Sequence, residues 1–400
     1  MRVRVIPPGA EHLGAQLGAD PWAPGGPLPA TYGPWHPEVV IGADSPGALL
    51  LPPAEPTASW VYAPRGVWLD DDLLVVADTG NHRVLLFHRV PAADGEPADV
   101  VLGQPDEHTE GPQAGGAGPE AGMNLPTGVL RLPDGRLLVA DAWNHRILLW
   151  DDLPSADRPA DLVLGQATPY DVEPNRGRDP TATSFYWPFG VALVDGRLYV
   201  ADTGNRRVLV WSDGAPCSPD QPADVVLGQP GFASRGENRD GPVGAASFRW
   251  PHTVAGNGGG VVVADAGNHR LLGWHAHPDR DLPADYVLGQ PDMATAVEFP
   301  YRPQTGTGFR FPYAAVRTPS GLAVADTSNN RVLLWDGEPR DQGAEPRWVL
   351  GQPSFAANGE NRWEQVGFDT LCWPYGLAAC GDRLAVADSG NNRVVVWSRA

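Results

Sequence analysis

Cysteine is scarce in this chain, with three residues in 400. Cys372 and Cys380 flank a predicted strand, and eight residues at about 3.3 Å each hold them well beyond the roughly 4.4–6.8 Å Cα separation of a disulfide. Free thiols and a reducing compartment are therefore expected. Basic residues are also few: Lys plus Arg number 29 against 48 Asp plus Glu, a formal net charge of −19. Affinity for nucleic acid and for anionic membranes rests on clustered cations, so neither is an expected partner. The start MRVRVIPPGAEH has no apolar core of a leader, and no apolar run approaches about 18 residues, which predicts a soluble, cytoplasmic protein. The motifs of the common enzyme classes are missing too: no nucleophile elbow, phosphate loop, dinucleotide fingerprint, paired CxxC or HExxH occurs. No cofactor or metal is expected.

What the chain has in quantity is Gly (48), Pro (43) and Trp (15), with hydrophobic residues at 42%. Many short strands, many turns and a large core follow from that composition.

One motif recurs six times, from ADTGNHRVLLF at Ala77 to ADSGNNRVVVW at Ala387, and its Asp residues at 78, 141, 202, 265, 326 and 388 repeat every 61–63 positions. A second motif, close to VLGQP, begins at Leu102, Leu164, Leu227, Leu288 and Leu350. Each unit reads as four strands, illustrated by the third: Phe189–Val194, Arg197–Asp202, Arg207–Trp211 and 225–228, with hairpin chemistry at Asp195-Gly196 and Thr203-Gly204-Asn205. The strands are apolar almost throughout, as sheets covered on both faces require. Six four-stranded antiparallel blades make an all-β, six-bladed β-propeller.

Six Asn-Arg copies accompany only five Leu-Gly-Gln copies, so the last unit lacks a fourth strand. Val39-Val40-Ile41-Gly42 resembles Val225-Val226-Leu227-Gly228 and precedes the first Leu-Gly-Gln by one repeat length. This N-terminal strand is expected to complete the last blade and lock the ring. Residues 1–37 are read as an extension packed on the ring and 38–400 as one propeller domain.

Asn-His-Arg at 81–83, 144–146 and 268–270, with variants at 205–207, 329–331 and 391–393, resembles the NHL repeat over roughly residues 38–400. The resemblance implies a six-bladed, monomeric binding or scaffold protein, in some cases an accessory factor, that recognises a protein, peptide or small molecule. The units are longer than ordinary NHL repeats because of inserts such as GFASRGENRDGPVGAASFR. These loops and the Asn-Arg turns are expected on one face.

Each Asp of the turn is followed five positions later by an Arg: Asp78 and Arg83, Asp141 and Arg146, Asp202 and Arg207, Asp265 and Arg270, Asp326 and Arg331, Asp388 and Arg393. Six identical copies read as structural pairs. His82, His145 and His269 give way to Arg206, Asn330 and Asn392 and form no ring, so they are read as structural or exposed turns far out on the blade. The position after the Pro that opens each innermost strand varies instead: Arg65, Thr127, Phe189, His252, Tyr313, Tyr375. It is preceded by Ala63, Leu125, Trp187, Trp250, Phe311 and Trp373. Divergence beside the axis predicts a ligand site at the central mouth, an aromatic cup in which Arg65 fixes an anion and His252 switches near neutral pH. The alternative is a propeller enzyme of lyase, hydrolase or strictosidine-synthase-like type, with the same mouth as its site.

Overall fold

A computed structural model describes residues 28–43, 55–258, 260–298 and 304–400. It contains six four-stranded antiparallel sheets arranged as the blades of a propeller. The innermost strands are Gly66–Leu69, Pro126–Arg131, Pro188–Val194, Pro251–Asn257, Pro312–Thr318 and Pro374–Cys380, and each blade then runs outward in chain order. In blade 3 the following strands are Arg197–Asp202, Arg207–Trp211 and Val225–Leu227. Every second strand ends at the motif Asp, one 3-10 turn follows, and the third strand starts at the motif Arg directly across the ladder.

The sixth blade takes its outermost strand from the other end of the chain. Trp35–Ile41 pairs antiparallel with Arg393–Arg399, from Trp35 opposite Arg399 to Ile41 opposite Val394. Ahead of that strand Tyr32 is wholly buried, edge-on to Trp397 at 5.5 Å. Residues 1–27 of the expected N-terminal extension lie outside the described residues.

The core is divided into six clusters, each between neighbouring blades. Val39, Ile41, Val67, Val76 and Val394 fill the seam of blades 6 and 1, and Leu138, Ile147, Phe185 and Val200 that of blades 2 and 3. Strands such as Leu74–Asp78 and Arg207–Trp211 are buried at every residue, which is why their sequences lack alternation. Near the axis the innermost strands meet backbone to backbone. A Cβ on Gly66 would fall 1.7 Å from the Thr127 carbonyl, and one on Gly190 2.2 Å from that of His252, so side chains there would force the blades apart.

Candidate functional site

The motif turn is a buried cross-link made six times. The Asp Oδ1 accepts the backbone N–H that lies sixteen residues earlier, or seventeen in blade 2, at 2.6–2.8 Å. Its Oδ2 accepts from the motif Asn at 2.7–2.9 Å. The same oxygen accepts from the Arg Nε at 2.7–3.0 Å. The terminal nitrogens are spent on loop carbonyls, for example those of Thr181 and Ser184 for Arg207, except that Arg393 Nη1 has no partner among the described residues. Buried charges held this way have no capacity left for a ligand.

The residue between Asn and Arg is left-handed in every copy (φ 54–57°). Its side chain reaches the entrance of the next innermost strand rather than lying far out on the blade. The Nδ1 of His82, His145 and His269 accepts the N–H of Leu125, Trp187 and Phe311 at 3.1–3.2 Å. Asn392 and Asn330 do the same through Oδ1 for Ala63 and Trp373, at 2.9 Å in both cases. All five recipients are themselves left-handed, with φ of 46–53°. Arg206 has no acceptor to offer and donates to the Gly204 carbonyl; its counterpart Trp250 is not in the left-handed region. What the position requires is a short acceptor, which His and Asn share and Arg lacks.

Burial holds His82 and His269 below the usual histidine range and takes His145 down to about 4. Protonation removes the Nδ1 acceptor, and the unfolded chain binds that proton more readily than the fold does. The contribution is therefore complete above the unfolded value and fades as pH falls through it toward about 4. The variant His145→Asn keeps the acceptor and should lose roughly 1–2 kcal/mol less stability than the wild type between pH 7 and pH 5. Chemical denaturation at the two pH values measures this; parallel losses would remove His145 from the account.

The six residues after the opening prolines surround the axis. Phe189 and His252 lie 4.3 Å apart between ring centroids, His252 and Tyr313 4.3 Å, and Tyr313 and Tyr375 4.5 Å. The Arg65 guanidinium sits 5.0 Å above the Tyr375 ring. On the far side Thr127 Oγ1 donates to the Phe189 carbonyl at 2.7 Å. Thr127, Phe189 and His252 are buried, while Arg65, Tyr313 and Tyr375 keep partial exposure.

His252 departs from the expected switch. Its Nδ1 is 2.9 Å from the Trp250 carbonyl, and since a carbonyl only accepts, the proton sits on that nitrogen. Burial takes its pKa down to about 3, so the ring stays neutral through the physiological range. Burial also raises the Tyr313 hydroxyl above the usual tyrosine range, as does its neighbour Tyr375. Arg65 makes no ion pair among the described residues, and its buried Nε has no hydrogen-bond partner. Beneath it the axis continues as a channel of about 210 Å³, lined largely by small and branched apolar residues such as Val67, Val191, Ala315 and Leu377.

Above the arc the loop face carries more aromatics. Trp187 meets His252 at 6.3 Å and Trp143 at 6.2 Å, Trp250 stacks on Phe311 at 6.3 Å, and Trp373 is half exposed. The inter-blade loops dock on the motif turns of this face: the amides of Asn175, Asn238 and Asn361 pair with those of Asn205, Asn268 and Asn391 at 2.8–3.3 Å. The Gln of each Leu-Gly-Gln copy is buried beside them and donates to turn and loop carbonyls, as Gln352 does to Asn330 and Gly359. Sequence reasoning passed over that Gln, although its recurrence at 104, 166, 229, 290 and 352 marks it. Among the described residues no group of three His, Cys, Asp or Glu could hold a metal ion, all three cysteines are free thiols, and no helix is long and apolar enough to cross a membrane.

The sequence profile of the NHL repeat matches residues 185–211 and 371–397. Among solved structures, streptogramin B lyase is similar over 92% of this chain and 99% of its own, at 9% identity and a TM-score of 0.43. The WD40 propeller domain of Doa1 is similar over 92% and 98%, at 10% identity and a TM-score of 0.46. Virginiamycin B lyase from Staphylococcus aureus is similar over 84% and 95%, at 10% identity and a TM-score of 0.41. No curated protein matches in sequence.

Proposed function

We propose that this chain, a six-bladed propeller in which two repeats match the NHL profile, is a binding protein that takes its partner on the loop face, over the central mouth. The observation that carries this reading is Arg65: a guanidinium that pairs with no carboxylate among the described residues, laid on Tyr375 at the end of a continuous arc of rings. A cation stacked on an aromatic and left unneutralised suits an anionic group attached to something flat or apolar. Trp187 and Trp373 extend the apolar surface around it. Catalysis at the mouth is supported less well. His252 is the one imidazole in the arc, and a buried neutral ring whose Nδ1 proton is committed to a carbonyl makes a poor general acid or base near neutral pH. Cytoplasmic placement and a monomeric state belong to this proposal, as does the exclusion of nucleic acid by an acidic surface.

The mouth can be probed with 1-anilinonaphthalene-8-sulfonate, an anionic aromatic dye, before any natural partner is known. Binding followed by dye fluorescence should weaken about tenfold in Arg65→Gln, which removes the charge and leaves the channel wall in place. Exposed Arg280→Gln serves as a charge control and should bind as the wild type does. Equal affinity in all three proteins would move the binding surface away from the mouth.

A further inference from the structure

Three inter-blade loops contain the same device. Asn175-Arg176, Asn238-Arg239 and Asn361-Arg362 all hold two consecutive left-handed residues, with φ between 48° and 62°. The backbone N–H of each Asn donates to the residue that opens the next seam, Phe185, Phe248 or Leu371, at 2.8–3.0 Å. The Arg then folds back. Its Nε donates to the Gly carbonyl eleven positions earlier, that of Gly165, Gly228 or Gly351, at 3.2–3.4 Å. Its terminal nitrogens find a carboxylate: Asp220 at 3.1 Å, Asp281 at 2.6 Å and Asp369 at 2.6 Å. Arg176 also donates to the Thr183 carbonyl at 3.2 Å.

The seam of blades 1 and 2 keeps the frame and lacks the guanidinium. Gln113 and Ala114 are left-handed in the same way, at φ 56° and 55°. The Gln113 N–H donates to the Met123 carbonyl at 2.7 Å and its side chain to the motif Asn144 at 3.1 Å, so it stands where Asn175 stands. Ala114 follows Gly103 by eleven positions and thus occupies the register of Arg176, Arg239 and Arg362. Two neighbours shrink with it: Gly122 replaces Ser184, Ser247 and Thr370, and Met123 replaces Phe185 and Phe248.

At this seam lies a cavity of about 260 Å³ lined by Gly103, Ala121, Gly122, Met123 and Asp157, among others. That is several times the roughly 30 Å³ of a water molecule. The groups that receive Arg176 in the next seam, Gly165, Thr183 and Asp220, correspond in register to Gly103, Ala121 and Asp157, all on this wall. Asp157 accepts the Gly103 N–H at 2.8 Å and makes no ion pair among the described residues. Glu120 adds a second carboxylate and Tyr170 an exposed ring. Arg146 and Arg158 also line the cavity, but Arg146 is paired with Asp141 and donates to the Gly122 and Pro169 carbonyls, and Arg158 is paired with Asp152 and Asp161. The counterpart of Arg146, Arg207, likewise donates to Ser184, the residue next to the Thr183 that receives Arg176, so two guanidinium groups are compatible at such a seam.

We propose that the cavity between blades 1 and 2 is a receptor for a guanidinium group supplied from outside the chain, which takes the place of the arginine that three other seams carry. A surface of net charge −19 favours the approach of such a cation.

Titration calorimetry on the full chain with N-ethylguanidinium, n-butylammonium and a blocked Gly-Arg-Gly peptide tests this. Saturable binding of the guanidinium probe at a stoichiometry of one, at least fivefold tighter than the ammonium, is expected. Ala114→Arg fills the cavity from within and should abolish that binding while raising the melting temperature. Asp157→Asn should weaken it about tenfold, and it gives an independent reading if the first variant folds poorly. A peptide bound tenfold tighter than N-ethylguanidinium identifies an arginine side chain of a protein as the source, and equal affinities a small molecule. Absence of saturable binding, equal affinity for the ammonium, or binding untouched by both substitutions would overturn the proposal.

Discussion

Removal of residues 1–43 is expected to abolish cooperative folding, or to lower the melting temperature by tens of degrees. The deletion takes away the strand Trp35–Ile41 and with it the fourth strand of blade 6. Tyr32, Trp35, Val39, Val40 and Ile41 are all buried. At roughly 1.5–3 kcal/mol for each large apolar side chain, their loss is comparable to the about 5–15 kcal/mol by which whole domains are stable. The ion pair of Glu38 with Arg383 at 2.7 Å goes as well, though an exposed pair adds little. Arg393–Arg399 becomes an open edge, a template for pairing with other chains. Circular dichroism melts and gel filtration of both proteins decide the matter. A truncated chain that melts like the full one as a monomer would mean that the ring closes without this strand.

A second large effect is expected inside a blade. Asp265→Ala removes the acceptor shared by the Arg249 N–H, Asn268 and Arg270, and leaves Arg270, wholly buried, without its counter-ion. Breaking one side of a buried pair costs about 3–5 kcal/mol. The exposed pair of Asp152 with Arg158 provides the contrast, since Asp152→Ala should change stability by less than about 1 kcal/mol. Equal shifts in denaturation midpoint would show that the motif Asp carries no special weight in the blade.

The sequence revealed the ring because its constraints act within one repeat. Asp-Asn-Arg must stand at one spacing for the turn to bond to itself, so the blades, their strands and the closure by Val39–Ile41 could be counted from Asp78 to Asp388. Two features of the mouth escaped because they depend on a neighbouring blade. His145 reads as an exposed turn residue far out on the blade until its partner Trp187, 42 residues away, is known. His252 reads as a switch until Phe189 and Tyr313 are seen packed against it, because nothing in its own strand records that burial. The empty seam at Ala114 was hidden for another reason: the loops share a length but differ in composition, and an alanine in the arginine register carries no signal until the shared left-handed pair is seen.

The pairing of Trp35–Ile41 with Arg393–Arg399 also orders events in time. During synthesis this strand precedes every other strand of the described propeller, yet its partner follows some 350 residues later. At roughly 5–20 residues per second that interval is about 20–70 s. Blades 1 to 5 each contain all four of their own strands and can form as they emerge, while the first strand waits for Arg393–Arg399 to complete blade 6. For that period the ring is an open arc whose Val39, Val40 and Ile41 lack their partner strand, and its closure joins two segments that have never been neighbours.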